Sequence, residues 1–201
     1  MFESGNLAAP AIMALTIGIS LLGLMRMPVI ISKFLFRPYF FLRDKQYDTM
    51  IMSGFIHADT THLLFNMITF FFFAFPLEQF LGTGKFVALY LVGLVVSHTC
   101  TWYKERNNPQ YASLGASGAI SAVLFAYIVY FPSTMLLVFF IPMPAMVFAF
   151  VYVGYSWWAS KNANDRINHD AHLCGALSGL GFVAMTDPGA YSRLVSMLIG
   201  D

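Results

Sequence analysis

The stretch SLGASGAISAVLFAY, from Ser113 to Tyr127, decides the fold that this sequence predicts. From Gly118 onward it reads as an apolar membrane helix, yet it opens with the hydroxyl of Ser117 among small residues. A serine at a helix start is usually an N-cap, and glycines there can simply allow close helix packing. A helix N-terminus also presents unpaired N–H groups and positive potential, which stabilise an oxyanion that develops beside a nucleophile. The stretch alone leaves a structural and a catalytic interpretation open.

The composition of the chain is that of a membrane protein. Of its 201 residues, 58% are hydrophobic and only 10% are charged, whereas a soluble domain carries about 25% charged residues. The net charge of +1 provides no basic field that would attract nucleic acid. We therefore expect an all-α, polytopic membrane protein that forms a single domain over residues 1–201 and binds no nucleic acid.

Six segments predict transmembrane helices, because a bilayer core needs about 20 apolar residues per helix. Prolines interrupt the fifth, so the preceding STMLLVFFI is expected to be an interfacial or half-buried loop. The expected spans, with soft boundaries, are Leu7 to Met25, Leu63 to Leu81, Lys85 to Tyr103, Ser117 to just before Pro132, the segment from after Pro144 to Trp158, and Ala171 to Met185.

The segments between and before the spans carry further expectations. The long connection from Arg26 to Thr61 contains aromatic and apolar clusters, so we expect it to fold against the membrane. The N-terminus lacks the basic region of a signal peptide, which favours an uncleaved first span. Cys100 and Cys174 lie in apolar stretches and are expected to be free thiols, not a disulfide.

A second polar cluster, HADTTHLLFNM, lies at the start of the second span. Polar groups in hydrocarbon are costly and are candidates for function. His62 and Asn66 are four residues apart and share one helix face, and His57 precedes them. A lone histidine would favour simple interhelical hydrogen bonding. The pair near a helix start favours a functional interpretation.

A third polar cluster, NHDAHLCGALSG, lies at the start of the sixth span. His172, Gly175 and Gly179 form one helical stripe, and the glycines allow a neighbouring backbone to approach closely. If the neighbour is the GASG helix, His172 lies beside Ser117. No acidic residue of the same helix is placed to orient the imidazole, so the pair is expected to act as a dyad. His169 precedes the apolar run and is expected to be a loop or cap residue, not the base.

Taken together, these motifs resemble the rhomboid family of intramembrane serine proteases. His57 with HLLFNM, then LEQFLGTGK, GASG and AHLCG, occur in the family's order and on its helices. The resemblance implies a bacterial type of rhomboid with a six-helix core in the bacterial inner membrane. It also implies that the protein cleaves transmembrane helices of other membrane proteins and needs neither a cofactor nor a metal.

The same resemblance implies roles for individual residues. Ser117 would be the nucleophile and His172 the general base. His62, Asn66 and the backbone N–H of Ser117 would form the oxyanion hole. Structural support is implied for the remaining matched residues, with Glu78 bracing the first loop: His57, Glu78, Gly115, Gly118, Gly175 and Gly179.

Two departures from the family pattern bear on the site. YDTM, from Tyr47 to Met50, stands where many members carry Trp-Arg in the first loop, which affects the anchoring of that loop. Ser121 stands one turn after the nucleophile, where some members have a tyrosine that packs on the catalytic imidazole. Another group must then orient His172.

The family topology also places the basic first loop on the outer side of the membrane, whereas the positive-inside rule predicts the opposite orientation.

Two alternatives stay open. One is a catalytically silent rhomboid-like protein that binds membrane clients, although such relatives usually lack the serine or the histidine. The other is a metalloprotease, although the sequence lacks the H-E-x-x-H pattern and this hypothesis assigns no role to Ser117 or Asn66. Its candidate ligands would be His57, His62, His169 and His172. The sequence does not predict an oligomeric state.

Overall fold

The computed structural model of the chain describes residues 6–138, 140–163, 165 and 167–199, with only the backbone described for residues 198 and 199. Helices dominate this part of the chain, with a short 3-10 helix at Ser53–Phe55 and one small hairpin. The elements in chain order are α1 (Ala8–Met25), α2 (Pro28–Phe34), α3 (Pro38–Arg43), α4 (Thr49–Met52), α5 (Thr60–Leu81), α6 (Thr83–Glu105), α7 (Ser117–Tyr130), β1 (Met135–Val138), β2 (Ile141–Pro144), α8 (Ala145–Asn162), α9 (His169–Thr186) and α10 (Gly189–Ile199).

A helix occupies each of the six predicted spans, namely α1, α5, α6, α7, α8 and α9. Among the described residues, α1, α5 and α6 are long and apolar enough to cross a membrane, and α7 is a shorter apolar helix of 14 residues. The ends of α8 and α9 carry polar and charged side chains, which lower their hydropathy. The prediction of a mostly helical membrane protein is confirmed, while the count of six spans stays a prediction.

The core of the bundle is α7. Nearly all of its side chains after Ser117 are buried, as expected for a helix that is apolar all round. Small residues allow its neighbours to approach closely. On the α6 side, an added Cβ at Gly93 would overlap the methyl group of Ala122, and one at Gly118 would overlap the side chain of Ser97.

The backbones of α9 and α7 pack directly against each other. An added Cβ at Gly175 would overlap the carbonyl oxygen of Gly118, and one at Gly179 would overlap the carbonyl oxygen of Ala122. The predicted packing of the glycine stripe on the GASG helix is therefore confirmed. Because the obstructing atoms belong to the backbone of a buried helix, they cannot move aside as a flexible side chain would.

The first loop is folded, as predicted, into α2, α3, α4 and the 3-10 helix. Phe36 exchanges two backbone hydrogen bonds with Ser113, each 2.9 Å long, which ties the loop to the segment before α7. An added Cβ at Gly54 would lie 2.7 Å from Leu94 of α6, so the loop also packs closely on that helix. These contacts anchor the loop without the Trp-Arg pair.

The segment before α8, expected to be an interfacial or half-buried loop, contributes to an antiparallel hairpin. Strand β1 pairs with β2, with Met135 opposite Pro144 and Val138 opposite Ile141. Prolines are tolerated in this second strand because a two-stranded hairpin consists of edge strands. The side chain of Leu137 is 75% exposed. The hairpin thus leaves apolar side chains uncovered next to the start of α8.

Two further expectations need correction. Cys100 of α6 and Cys174 of α9 form a disulfide, so the prediction of free thiols is wrong. Both side chains are half-buried. The apolar stretches around them carry no information on which faces of α6 and α9 meet. The carboxylate of Glu78 accepts hydrogen bonds from the backbone N–H groups of Ala8 and Ala9 and from the hydroxyl of Thr83. Glu78 therefore braces the first turn of α1, whose N–H groups have no other cap, instead of the first loop.

We predict that Gly175→Ala destabilises the protein by about 1–3 kcal/mol, the cost typical of overpacking, because the new methyl group would force α9 away from α7. Gly181→Ala is the matched control on the same helix, since an added Cβ there meets nothing within 4 Å. The control should be neutral or stabilise by up to about 1 kcal/mol through helix propensity. Unfolding in detergent measures both, and equal effects of the two substitutions would contradict the packing described.

Candidate active site

Ser117 is the first helical residue of α7 and not its N-cap. The N-cap position belongs to Ala116, and α7 has no side-chain cap. The capping interpretation of the serine is therefore excluded. The side chain is half-buried, and it lies at the helix end where N–H groups are unpaired and the macrodipole is positive.

Gly115 brings the segment before α7 against α5. Its φ of +111° lies in a region that favours glycine. An added Cβ would come within 2.8 Å of Cε1 and 3.0 Å of Nε2 of His62, and within 3.8 Å of Nδ2 of Asn66. The structure thus brings together the two polar side chains of α5 and the N-terminal end of α7.

Asn66 offers a donor that no group in the described structure uses. Its side chain is 8% exposed, and its Nδ2 has no hydrogen-bond partner. An unsatisfied buried donor costs about 1–3 kcal/mol. His62, one turn earlier, is half-buried, and its backbone N–H is held by the Asp59 side chain at 2.7 Å, which fixes the start of α5.

His57 lies behind His62, with the two rings edge to face and their centroids 4.9 Å apart. The Ser20 hydroxyl donates to the carbonyl of Phe55 at 3.0 Å, so it accepts from Nδ1–H of His57 at 2.9 Å. Burial, followed by the nearby His62, lowers the pKa of His57 to about 3, with Asp59 opposing the shift. His57 is therefore neutral at physiological pH and supports the ring of His62 from behind.

His98 takes part in the same arrangement, although the sequence analysis did not single it out. Its Nδ1–H donates to the carbonyl of Leu94 at 3.0 Å, which leaves Nε2 to accept from the Ser53 hydroxyl at 3.1 Å. The carbonyl of Ser53 in turn accepts from the N–H of Gly115 at 2.9 Å. A polar residue within an apolar span was the available signal for His98, as it was for His62.

His172 lies in the first turn of α9, and its side chain is half-buried. Asn168 is the N-cap: its side chain accepts from the N–H of Ala171 and donates to the Thr101 hydroxyl of α6 at 2.9 Å. The starts of α7 and α9 lie close together, because an added Cβ at Gly118 would lie only 3.4 Å from the carbonyl oxygen of Ala171. Ser117 and His172 are the residues next to these two contact points.

His169 does not lie in a loop or at the cap, where the sequence predicted it. It is the first helical residue of α9 and is buried, so it is neither a loop residue nor the cap. Its Nε2 lies 3.1 Å from Oδ2 of Asp165, which engages the imidazole. The described residues contain no group of three His, Cys, Asp or Glu side chains that could hold a metal ion. The metalloprotease alternative therefore finds no ligand set in this part of the chain.

An aromatic side chain from α8 contacts His172. The ring of Tyr152 lies roughly parallel to the imidazole, with centroids 6.3 Å apart and planes inclined by 26°, within the range over which aromatic pairs interact. The hydroxyl of Tyr152 lies 2.6 Å from that of Ser121, which stands where some rhomboids have a tyrosine. Nothing in the sequence pattern of α8 pointed to this contact.

Comparison with known proteins identifies the family. A family model for the rhomboid domain matches residues 44–187, and the chain belongs to the rhomboid family. It is 31% identical over 147 residues to RHOMBOID-like protein 12, mitochondrial, of Arabidopsis thaliana, covering 64% of this chain and 43% of the relative. It is 31% identical over 147 residues to the human presenilin-associated rhomboid-like protein, mitochondrial, covering 67% and 36%. It is 29% identical over 175 residues to rhomboid protein 1, mitochondrial, of Saccharomyces cerevisiae, covering 83% and 50%. The chain thus spans half or less of the length of these relatives.

These relatives overturn the expected location. All three are mitochondrial by name, so the expectation that the protein lies in a bacterial inner membrane is wrong. The error has a physical origin. The motifs that suggested the family lie at or within apolar spans, and such a pattern carries no information on which membrane holds the protein.

We predict that His57 makes the stability of the protein depend on pH. The unfolded chain binds a proton at His57 near pH 6.5, whereas burial keeps the folded chain from doing so until about pH 3. The contribution of His57 to the free energy of unfolding is therefore fully present above pH 6.5. It is lost as the pH falls toward 3, and the free energy of unfolding decreases by at most about 1.4 kcal/mol per pH unit. Unfolding in detergent at several pH values, compared with His57→Gln, should show the wild type losing more stability. Parallel curves would contradict this prediction.

Proposed function

We propose that the protein is an intramembrane serine protease that cleaves transmembrane helices of other membrane proteins, with Ser117 as nucleophile and His172 as general base. The main supporting observation is the direct backbone packing of α9 on α7 at Gly175 and Gly118. This packing holds the starts of the two helices together. Ser117 lies at the start of α7, which has no side-chain cap, and the half-buried His172 lies in the first turn of α9.

The proposed reaction is acyl transfer in two steps. His172 takes the proton of the Ser117 hydroxyl as the oxygen attacks the scissile carbonyl, and then gives it to the leaving amine. Water next enters and attacks the ester on Ser117 as it loses a proton to His172. His172 then gives this proton to the Ser117 oxygen as the acid product leaves. The free N–H groups at the start of α7, the Nδ2 of Asn66 and the ring of His62 would donate to the negatively charged oxygen of each tetrahedral intermediate.

The length of α7 supports a site below the membrane surface. A helix of 14 residues is about 21 Å long, whereas the hydrocarbon core is about 30 Å thick. If α7 ends near one membrane surface, Ser117 lies about 9 Å below the other. The half-buried side chains of Ser117, His62 and His172 would then line a polar cavity that water can reach. This arrangement requires six spans and, following the family topology, a first loop on the side of the site.

The substrate class follows from the same geometry. A carbonyl within an intact helix is already hydrogen-bonded, so the scissile segment must unwind before Ser117 can attack it. Residues that weaken a helix, glycine above all, should therefore be preferred near the cut. Because the relatives are named mitochondrial, we propose that the protein and its substrates lie in a mitochondrial membrane.

We predict that Ser117→Ala and His172→Ala each lower kcat at least about 10³-fold and that the double variant is no worse than either, because the two residues act as a unit. The assay is cleavage of a transmembrane substrate by protein reconstituted in liposomes. His169→Ala is the matched control and should remain active. An inactive His169→Ala with an active His172→Ala would reassign the base. A wild type that binds the substrate without cleaving it would favour the catalytically silent alternative.

We predict that Asn66→Ala lowers kcat with little change in KM, because its amide would act mainly in the transition state. Loss of one such donor in a soluble serine protease costs about 10²–10³ in kcat. A smaller loss is expected here, since His62 and the Ser117 N–H remain. The melting temperature should not fall, because Nδ2 has no partner to lose.

Thr69→Ala is the matched control for Asn66→Ala on the same helix. Its hydroxyl donates only to the carbonyl of Phe65, one turn before it, so kcat should be unchanged. An Asn66→Ala variant with wild-type kcat and a reduced melting temperature would show that Asn66 joins helices together and has no part in catalysis.

A further inference from the structure

We infer that Tyr152 of α8 is the positioning residue of His172. Some rhomboids pack a tyrosine of the nucleophile's own helix on the imidazole, and this chain has Ser121 at that position. Tyr152 would supply the aromatic ring from α8 instead. The inference rests on the proposed function, because it concerns the general base of that reaction. Tyr152 would not touch the reacting atoms. It would act by holding the imidazole in the orientation from which Nε2 or Nδ1 can accept the proton of Ser117.

The hydroxyl of Tyr152 is held by a directed chain of hydrogen bonds. Ser121 donates to the carbonyl of Ser117 at 2.9 Å, so its oxygen is left to accept from the hydroxyl of Tyr152 at 2.6 Å. The chain ends on the backbone of the proposed nucleophile. A serine at position 121 is therefore suited to this arrangement, because it makes both bonds and leaves space for the incoming ring.

The ring of Tyr152 is held from its other sides by aromatic neighbours. Phe125 of α7 lies 5.3 Å from it and Phe148 of α8 lies 5.6 Å from it, measured between centroids. Among the described aromatic contacts of His172, the ring of Tyr152 is nearly parallel to the imidazole, whereas that of His169 meets it edge-on at 6.1 Å. The tyrosine thus forms one wall of the space in which the imidazole lies.

The position of the base then depends on how α8 packs. Few residues of α8 are fully buried, namely Ala145, Ser156 and Ala159. The helix also packs on α7 and α9 through partly buried side chains, and Tyr152 is one of them. A displacement of α8 would remove the packing partner of His172 without changing α7 or α9.

The test compares Tyr152→Phe and Tyr152→Leu with Tyr155→Leu. Tyr155 is one turn further along α8, and its ring contacts His169 and Trp158. Cleavage in liposomes gives kcat and KM, labelling of Ser117 by a fluorophosphonate gives the reactivity of the nucleophile, and melting in detergent reports folding. Tyr152→Leu should lower kcat about 10- to 100-fold at unchanged KM, the scale typical of a misplaced catalytic group. Labelling should slow in parallel.

The conservative variant separates positioning from stability. Tyr152→Phe keeps the ring, so it should retain kcat within about threefold. Because Tyr152→Phe and Ser121→Ala remove the same hydrogen bond, the double variant should be no worse than the poorer single variant. Tyr155→Leu should leave kcat unchanged.

Three results would overturn the inference. One is a Tyr152→Leu variant with kcat within threefold of the wild type. Another is a Phe variant as impaired as the Leu variant, and the third is an equal loss in Tyr155→Leu. Failure of the proposed function would look different, because wild-type protein would then neither cleave the substrate nor be labelled at Ser117.

Discussion

The structure depends on the direct backbone contact between α7 and α9. Because Gly175 and Gly179 have no side chains, the two helices approach until the carbonyl oxygens of Gly118 and Ala122 occupy the space of a Cβ. A contact between backbones is rigid and leaves one register. It therefore fixes the start of α9 relative to the start of α7. The polar groups at the two helix starts, among them Ser117 and His172, are therefore held in fixed positions relative to each other.

The hydrogen bonds around the site converge on the segment that leads into α7. Phe36 of the first loop pairs with Ser113, and Ser53 holds the N–H of Gly115 while His98 holds the hydroxyl of Ser53. The position of Gly115 then sets the distance to the polar side chains of α5. Polar groups that would be costly in hydrocarbon thus satisfy one another. Among the described residues, Nε2 of His57, Nδ2 of Asn66, the hydroxyl of Tyr90 and the hydroxyl of Ser113 are buried and have no partner in this network. Of these, Nδ2 of Asn66 lies beside Gly115, just before the start of α7.

The sequence predicted features that depend on a single segment or on matching periodicities. The helices followed from the apolar runs. The packing of the α9 glycine stripe on the GASG helix and the membership of the family followed from motifs such as GASG and AHLCG. Contacts that depend on which faces of distant helices meet were not predictable. Examples are the disulfide of Cys100 and Cys174, the bonds of Glu78 to the start of α1, and the stacking of Tyr152 on His172. The roles of the site residues stay predictions, and the membrane was identified only by comparison with relatives.

The central claim is that Ser117 is a nucleophile activated by His172. The most direct measurement is mass spectrometry of the purified protein after reaction with a fluorophosphonate, which modifies only an activated serine. The account predicts one modified peptide, carrying the label on Ser117, and no label in His172→Ala protein that is folded by its melting curve. A wild-type protein that remains unlabelled, or labelling that persists at full rate without His172, would contradict the account.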